Sequence, residues 1–162
     1  MMHDPNARKH PPVSVTLMRF PADAYGYELY AARLADPRLL ESSLALRLLR
    51  IPFLAVPVGG SRLGGFYRVP CICFALKVSD FLRGRDGFPH PSLRWVSSPH
   101  SCYAVEWGEK PPALWGNDNP ITLGRFYGWT NSAIAGSVAK YAAQHGPRTP
   151  SSATNHRSPA GP

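Results

Sequence analysis

The sequence predicts an α+β fold: a small, mostly antiparallel sheet with a hairpin over residues 92–107, an N-terminal helical pair and one C-terminal helix, flanked by extended tails. Three observations predict it. The segments SLRWV and CYAVEW alternate apolar and polar residues on either side of a Ser-Pro turn, which is the period of a half-buried strand pair. Leu40, Leu44 and Leu48 recur at helical spacing behind Asp36-Pro37, a capping residue followed by a proline suited to the first helical turn. NSAIAGSVAKYAAQH has Thr130 or Asn131 to cap it and stops at Gly146-Pro147.

In chain order, residues 1–12 read as an extended or disordered arm and residues 13–145 as a single α+β domain. YGYELYAARLA (25–35) reads as a short helix. A second runs from Asp36 to about Arg50, where Ile51-Pro52 ends it. FLAVPV (53–58) reads as an edge strand because Pro57 removes a donor. FYRVPCICFALKV (66–78) reads as the main strand on its β-branched and aromatic content, with Pro70 marking off its first part. RGRDG (83–87) is a turn, and GEKPPALWGNDNP (108–120) is loop by composition. Residues 146–162 are rich in Pro, Ser, Thr and Gly and read as a disordered or partner-bound tail.

Composition narrows the function classes. The charged fraction of 17% is below the usual quarter, and 18 prolines in 162 residues is about twice the ordinary share. The net charge is +8, with 14 arginines against 4 lysines. Arginine forks onto phosphate and carboxylate and stacks on rings, which favours nucleic-acid or acidic-protein surfaces. A GC-rich coding sequence yields the same excess without selection for binding. Three cysteines do not make a disulfide framework, and together with the lack of a glycosylation sequon they suggest an intracellular, reducing compartment, cytoplasmic or mitochondrial. The first fifteen residues hold no apolar signal core, and the apolar run 44–58 is interrupted by Arg47, Arg50, Pro52 and Pro57.

Several constellations carry chemistry in principle. Gly59, Gly60, Gly64 and Gly65 flank Ser61-Arg62-Leu63, and converging backbone amides suit an anion. Strand-like Phe66-Tyr67-Arg68 follows, so neither a P-loop nor a dinucleotide fingerprint is met, and two glycine turns are the plainer reading. Cys71, Cys73, His100 and Cys102 supply enough ligands for zinc, but Cys-x-Cys is not the usual knuckle spacing, and in a strand both cysteines read as buried core on one face. Ser137 and Lys140 match Ser-x-x-Lys without the partner motifs of acyl-transfer enzymes. From Phe126 to Ala143 no carboxylate occurs and small residues recur every fourth position, marginal for a membrane span and suited to close helix packing.

Aromatic residues interleave with arginines at Phe66-Tyr67-Arg68, Arg94-Trp95 and Arg125-Phe126-Tyr127. Rings that stack bases beside cations that hold phosphates are the means of binding single-stranded nucleic acid. The resulting expectation is a non-catalytic basic interaction protein. It would be an accessory subunit of a ribonucleoprotein or ribosome-like assembly, with other protein subunits and RNA as partners, no cofactor and no small-molecule substrate. The expected contacts are Arg62, Arg68, Arg83, Arg85, Arg94 and Arg125. The alternatives are a zinc-stabilised binding domain, an accessory subunit of a respiratory-type membrane complex, and a weakly folded orphan chain. No motif is specific enough to carry a family resemblance.

Overall fold

The computed structural model describes residues 14–97, 102–112 and 119–146. The N-terminal arm, His100 and the tail beyond Gly146 lie outside the described residues. The fold is α+β, built, among the described residues, on two small antiparallel sheets and five α-helices.

The first sheet has the order β1 (Val15–Leu17), β2 (Leu44–Leu48), β3 (Ile51–Ala55). Between β1 and β2 come a 3-10 turn at Pro21–Asp23, α1 (Tyr27–Ala31) and α2 (Arg38–Glu41). The expected helical pair is therefore present but short. The Asp36 cap forms as read: the Arg38 amide donates to Asp36 Oδ1 at 3.1 Å, and the Arg38 side chain pairs with the same carboxylate at 2.8 Å.

The helix expected to run to Arg50 instead ends after one turn. Ser43 donates its hydroxyl back to the Leu40 carbonyl at 2.6 Å, and Leu44 begins a strand. The leucine run satisfies two periods. Leu40, Leu44 and Leu48 fit a helix, whereas Leu44, Leu46 and Leu48 fit one face of a strand. Long-range burial selects the second, because Leu46 and Leu48 enter the main core with Phe53 and Ala55, which lie opposite Leu46 and Leu44 across the β2–β3 hairpin. Leu49 turns that hairpin at φ 57°. Pro52 is tolerated because β3 is the last strand of its sheet, and its carbonyl accepts the Tyr25 amide at 3.0 Å.

The second sheet has the order β4 (Gly64–Val69), β6 (Cys102–Gly108), β5 (Ser92–Val96). β5 and β6 form the expected hairpin, with Leu93 opposite Val105 and Trp95 opposite Tyr103. The expected strand 66–78 is corrected. β4 stops at Val69, Cys71 is an extended N-cap, and Ile72–Leu82 forms α3. Ala75, Val78, Ser79 and Leu82 are its buried residues. They sit at i, i+3, i+4 and i+7, a helical stripe hidden among β-favouring residues. α3 lies on the second sheet, and its stripe closes the main core over Val69, Val105 and Trp107.

α4 (Pro120–Phe126) begins at the last residue of the expected loop and is a helix the sequence reading does not include, while α5 (Asn131–His145) is the expected C-terminal helix. Asn119 caps the first, accepting from the Ile121 amide at 3.0 Å, and Thr130 caps the second, accepting from the Ala133 amide at 3.2 Å. The segment joining them knits distant chain together. Gly128 accepts from the Ala35 amide at 2.9 Å, Thr130 donates to the Arg33 carbonyl at 2.7 Å, and Tyr127 bridges to Arg62. Among the described residues no helix is long and apolar enough to cross a membrane.

Candidate functional site

The two sheets approach each other where β3 passes β4, and a groove of about 370 Å³ opens there against α1. Alternation along the strands sends Phe53 and Tyr67 towards each other, and their rings stack at 3.7 Å with planes 15° apart. Tyr30 and Phe66 also line the groove, and Tyr25 stands at its mouth with 72% of its surface exposed. Arg68, exposed on β4, reaches back over the Phe66 ring at 5.5 Å. Burial pushes the Tyr67 phenol above its ordinary range, so it is neutral at physiological pH. Phe53 is buried against Tyr67, so the ring surface the groove offers is that of exposed Tyr25 and half-buried Tyr30 and Phe66, with the Arg68 cation beside them. Phe66, Tyr67 and Arg68 were legible as an aromatic–arginine cluster; Tyr25, Tyr30 and Phe53 come from other segments, and only the sheet-to-sheet contact brings them in.

Arg62 does not join this surface. It is 2% exposed, with Nη1 donating to the Tyr127 carbonyl at 2.9 Å and its guanidinium between the Tyr30 and Tyr127 rings at 5.5 and 5.7 Å. Burial lowers its pKa below the usual arginine range. Its expected role as a partner contact is therefore corrected to that of a buried tie. The glycine loop explains how it gets there. Gly60 adopts φ 55°, and the amides of Gly59 and Arg62 each donate to the other's carbonyl at 3.0 and 2.9 Å. The Leu63 amide is taken by Phe126 at 2.9 Å. With those amides turned inward, the loop reads as a tight turn and not as an anion cradle.

The Tyr127 hydroxyl and Arg62 Nε are buried without a hydrogen-bond partner. Burial, reinforced by the nearby Glu106 charge, drives the Tyr127 phenol strongly upward. Its proton is thus held in the folded state at pH values where the unfolded chain releases it, above about pH 10. Stability is present below that pH and falls above it, by up to about 1.4 kcal/mol per pH unit. Tyr127→Phe removes an unsatisfied group, so it is expected to leave stability at pH 7 unchanged or slightly raised and to flatten the loss between pH 9.5 and 11. Thermal melts across that range check this; a Phe variant as alkali-sensitive as the parent refutes it.

The remaining expected contacts are spread over several elements. Arg83 pairs with Asp80 at 3.0 Å at the exposed end of α3. Arg85 donates Nε to the Phe81 carbonyl at 2.8 Å and covers its ring at 4.1 Å. Arg94 forks onto one oxygen of Glu106, which is largely buried, so this arginine is committed to a cross-strand ion pair. That pair lines a cavity of about 400 Å³ together with His90, Glu109 and Lys110. Arg125, exposed in the last turn of α4, borders a shallow apolar groove against α5. Ser137 and Lys140 line a different groove of about 190 Å³ between the same helices.

Cys71 and Cys73 are bonded to each other as a disulfide, which corrects their reading as buried thiols of one strand face. The step from extended Cys71 into helical Ile72 and Cys73 brings the two sulfurs together, as a regular strand does not. The alternative zinc set thereby loses two of its four donors to each other. Cys102 is a free, half-buried thiol, and His100 lies outside the described residues. No group of three or more His, Cys, Asp or Glu residues able to hold a metal ion occurs among the described residues.

Comparison with known proteins finds no match among curated sequences and none among solved structures. A family profile does match, over residues 18–161, and so begins just after β1 and spans β2 to β6 and the helices α1 to α5. The chain belongs to DUF6302, a family of unknown function.

Proposed function

We propose that the protein is a non-catalytic, basic interaction protein, an accessory subunit of a ribonucleoprotein-type assembly, and that it takes single-stranded RNA in the groove between the two sheets. The observation that carries the reading is the exposed Tyr25 ring at the mouth of an aromatic groove with Arg68 on its rim, in a chain of net charge +8. Flat rings accept any base, and a guanidinium beside them suits the phosphate that follows. Arg83, Arg85 and Arg125 are exposed cations further from this cluster in the sequence and extend the attraction without specificity. A protein partner has its own support: Leu17, Leu29, Leu49 and Ile51, all in the N-terminal third, are large apolar side chains at least half exposed.

Fluorescence anisotropy with a labelled single-stranded oligouridine tests the RNA reading. Binding is expected to weaken with salt, the logarithm of the affinity falling by about 0.7 per phosphate contact for each logarithmic unit of salt. Arg68→Ala is expected to reduce that slope by about one contact. Tyr25→Ala is expected to cost about 1–3 kcal/mol with the slope unchanged. Absence of binding at low salt, or binding indifferent to both substitutions, overturns the RNA reading. Gentle purification from the native cell, followed by sizing, then separates a protein-bound subunit from a solitary chain.

A further inference from the structure

We propose that the Cys71–Cys73 disulfide is a thiol–disulfide exchange site, with Cys73 as the sulfur attacked by an external thiol and Cys71 as the leaving thiolate. This is independent of RNA binding. Three features carry it.

The first is how little the bond holds. It closes a loop with one intervening residue, and the stabilisation a cross-link brings grows with the length of chain it constrains. α3 is anchored in the core by Ala75, Val78 and Leu82, with Phe74 packed beside them, so the helix has hold of the core without the cross-link. A cross-link of such small structural value is suited to being opened and closed.

The second is access. Cys73 is exposed and Cys71 half-buried, so one sulfur faces an incoming thiolate and the other is sheltered. The third is the fate of the leaving electron pair. Cys71 is the N-cap residue of an eleven-residue helix, and in the disulfide form its side chain makes no capping hydrogen bond. No acidic residue occupies the first turn of α3. A thiolate released at Cys71 meets uncapped amides and the positive end of the helix, the environment that stabilises thiolates. Opening the bond therefore supplies the cap that the closed form lacks.

The exchange balances as follows. An external thiolate RS⁻ attacks Cys73 Sγ, the Cys71–Cys73 bond breaks, and its electron pair leaves on Cys71 Sγ, giving a mixed disulfide at Cys73. A second RS⁻ attacks the outer sulfur of that mixed disulfide, forming RSSR and releasing the Cys73 thiolate. The protein has gained two electrons and, once its thiolates take up protons, two protons; two thiols have been oxidised to one disulfide. The partner class is a low-molecular-weight thiol or an exposed protein dithiol.

The test uses the full chain in graded mixtures of reduced and oxidised glutathione, quenched by alkylation and read by intact mass. In the oxidised protein only Cys102 is expected to be alkylated. Reduction is expected to expose the other two thiols together, with circular dichroism and melting temperature nearly unchanged. In Cys71→Ser, Cys73 is expected to trap a single glutathione as a stable mixed disulfide, whereas Cys102→Ser is expected to titrate like the parent. Three results each overturn the proposal: alkylation of all three cysteines without reductant, a bond that glutathione opens only after the protein is unfolded, or glutathione trapped on Cys71 in Cys73→Ser as readily as on Cys73 in Cys71→Ser.

Discussion

Trp107→Ala is expected to cost about 3–5 kcal/mol, a large share of the stability of a domain this size. The indole is 2% exposed in the main core and tilts against Phe88 at 5.4 Å. Its Nε1 donates to the Val56 carbonyl at 3.0 Å, just past β3. One side chain of the second sheet thus holds the end of the first. Alanine leaves a cavity and strips a buried carbonyl of its donor. Urea denaturation of the purified variant measures the loss; a cost under 1 kcal/mol contradicts this account of the core. A second substitution makes the argument sharper. Gly65 faces Trp107 across the β4–β6 ladder, and a Cβ there meets the ring at 2.4 Å. Gly65→Ala alone is expected to destabilise by about 1–3 kcal/mol through overpacking. In the Trp107→Ala background most of that cost is expected to vanish, a coupling readable as a double-mutant cycle.

Gly108→Ala is expected to be nearly as damaging. Gly108 ends β6 at φ 82°, a conformation that costs other residues about 1–2 kcal/mol. A Cβ there falls 2.4 Å from the Leu63 carbonyl oxygen and 2.9 Å from the Gly64 Cα, both backbone atoms that cannot swing aside. Pro89 accepts the Gly108 amide at 2.8 Å and Leu63 the Glu109 amide at 2.9 Å, so the strand end is pinned from two directions. Strain and overlap together are expected to cost about 2–5 kcal/mol. Gly136→Ala is the internal control: it lies in α5 with nothing within 4 Å of a new Cβ, and is expected to stabilise by about 0.5–1 kcal/mol. The two melting curves are expected to move in opposite directions; a Gly108→Ala variant that melts with the parent refutes the assignment.

Local chemistry made the 92–107 hairpin and the last helix readable. Alternation along β5 and β6, and Thr130 and Gly146 bounding α5, act over a few residues and need no tertiary context. The leucine run was not readable in the same way, because Leu44 and Leu48 serve either period and the choice rests on Phe53 and Ala55 across the hairpin. Cys71–Val78 misled for the opposite reason. Its β-favouring residues outweigh, by eye, a helical stripe of Ala75, Val78 and Leu82 that becomes decisive only when a sheet lies beneath it. The candidate groove was half legible. Phe66, Tyr67 and Arg68 stand together in the chain, but Tyr25, Tyr30 and Phe53 join them through contacts no local pattern reports. Arg62 shows the limit most plainly, since an arginine between glycines reads as a surface residue until its cover, Tyr127, is placed 65 residues further on.

That cover bears on how the chain comes to be made. The turn at 127–129 receives Ala35 and shields Arg62, yet it is synthesised long after both. Until it emerges, Arg62 lacks the cover of Tyr127, and Leu34, just past α1, lacks its bridge to Trp129. Arg62 and the segment 33–35 therefore wait uncovered until residues 127–130 have been made. A nascent chain in that condition shows an uncovered guanidinium beside the Tyr30 ring, so this part of the packing closes late, once the C-terminal segment is available.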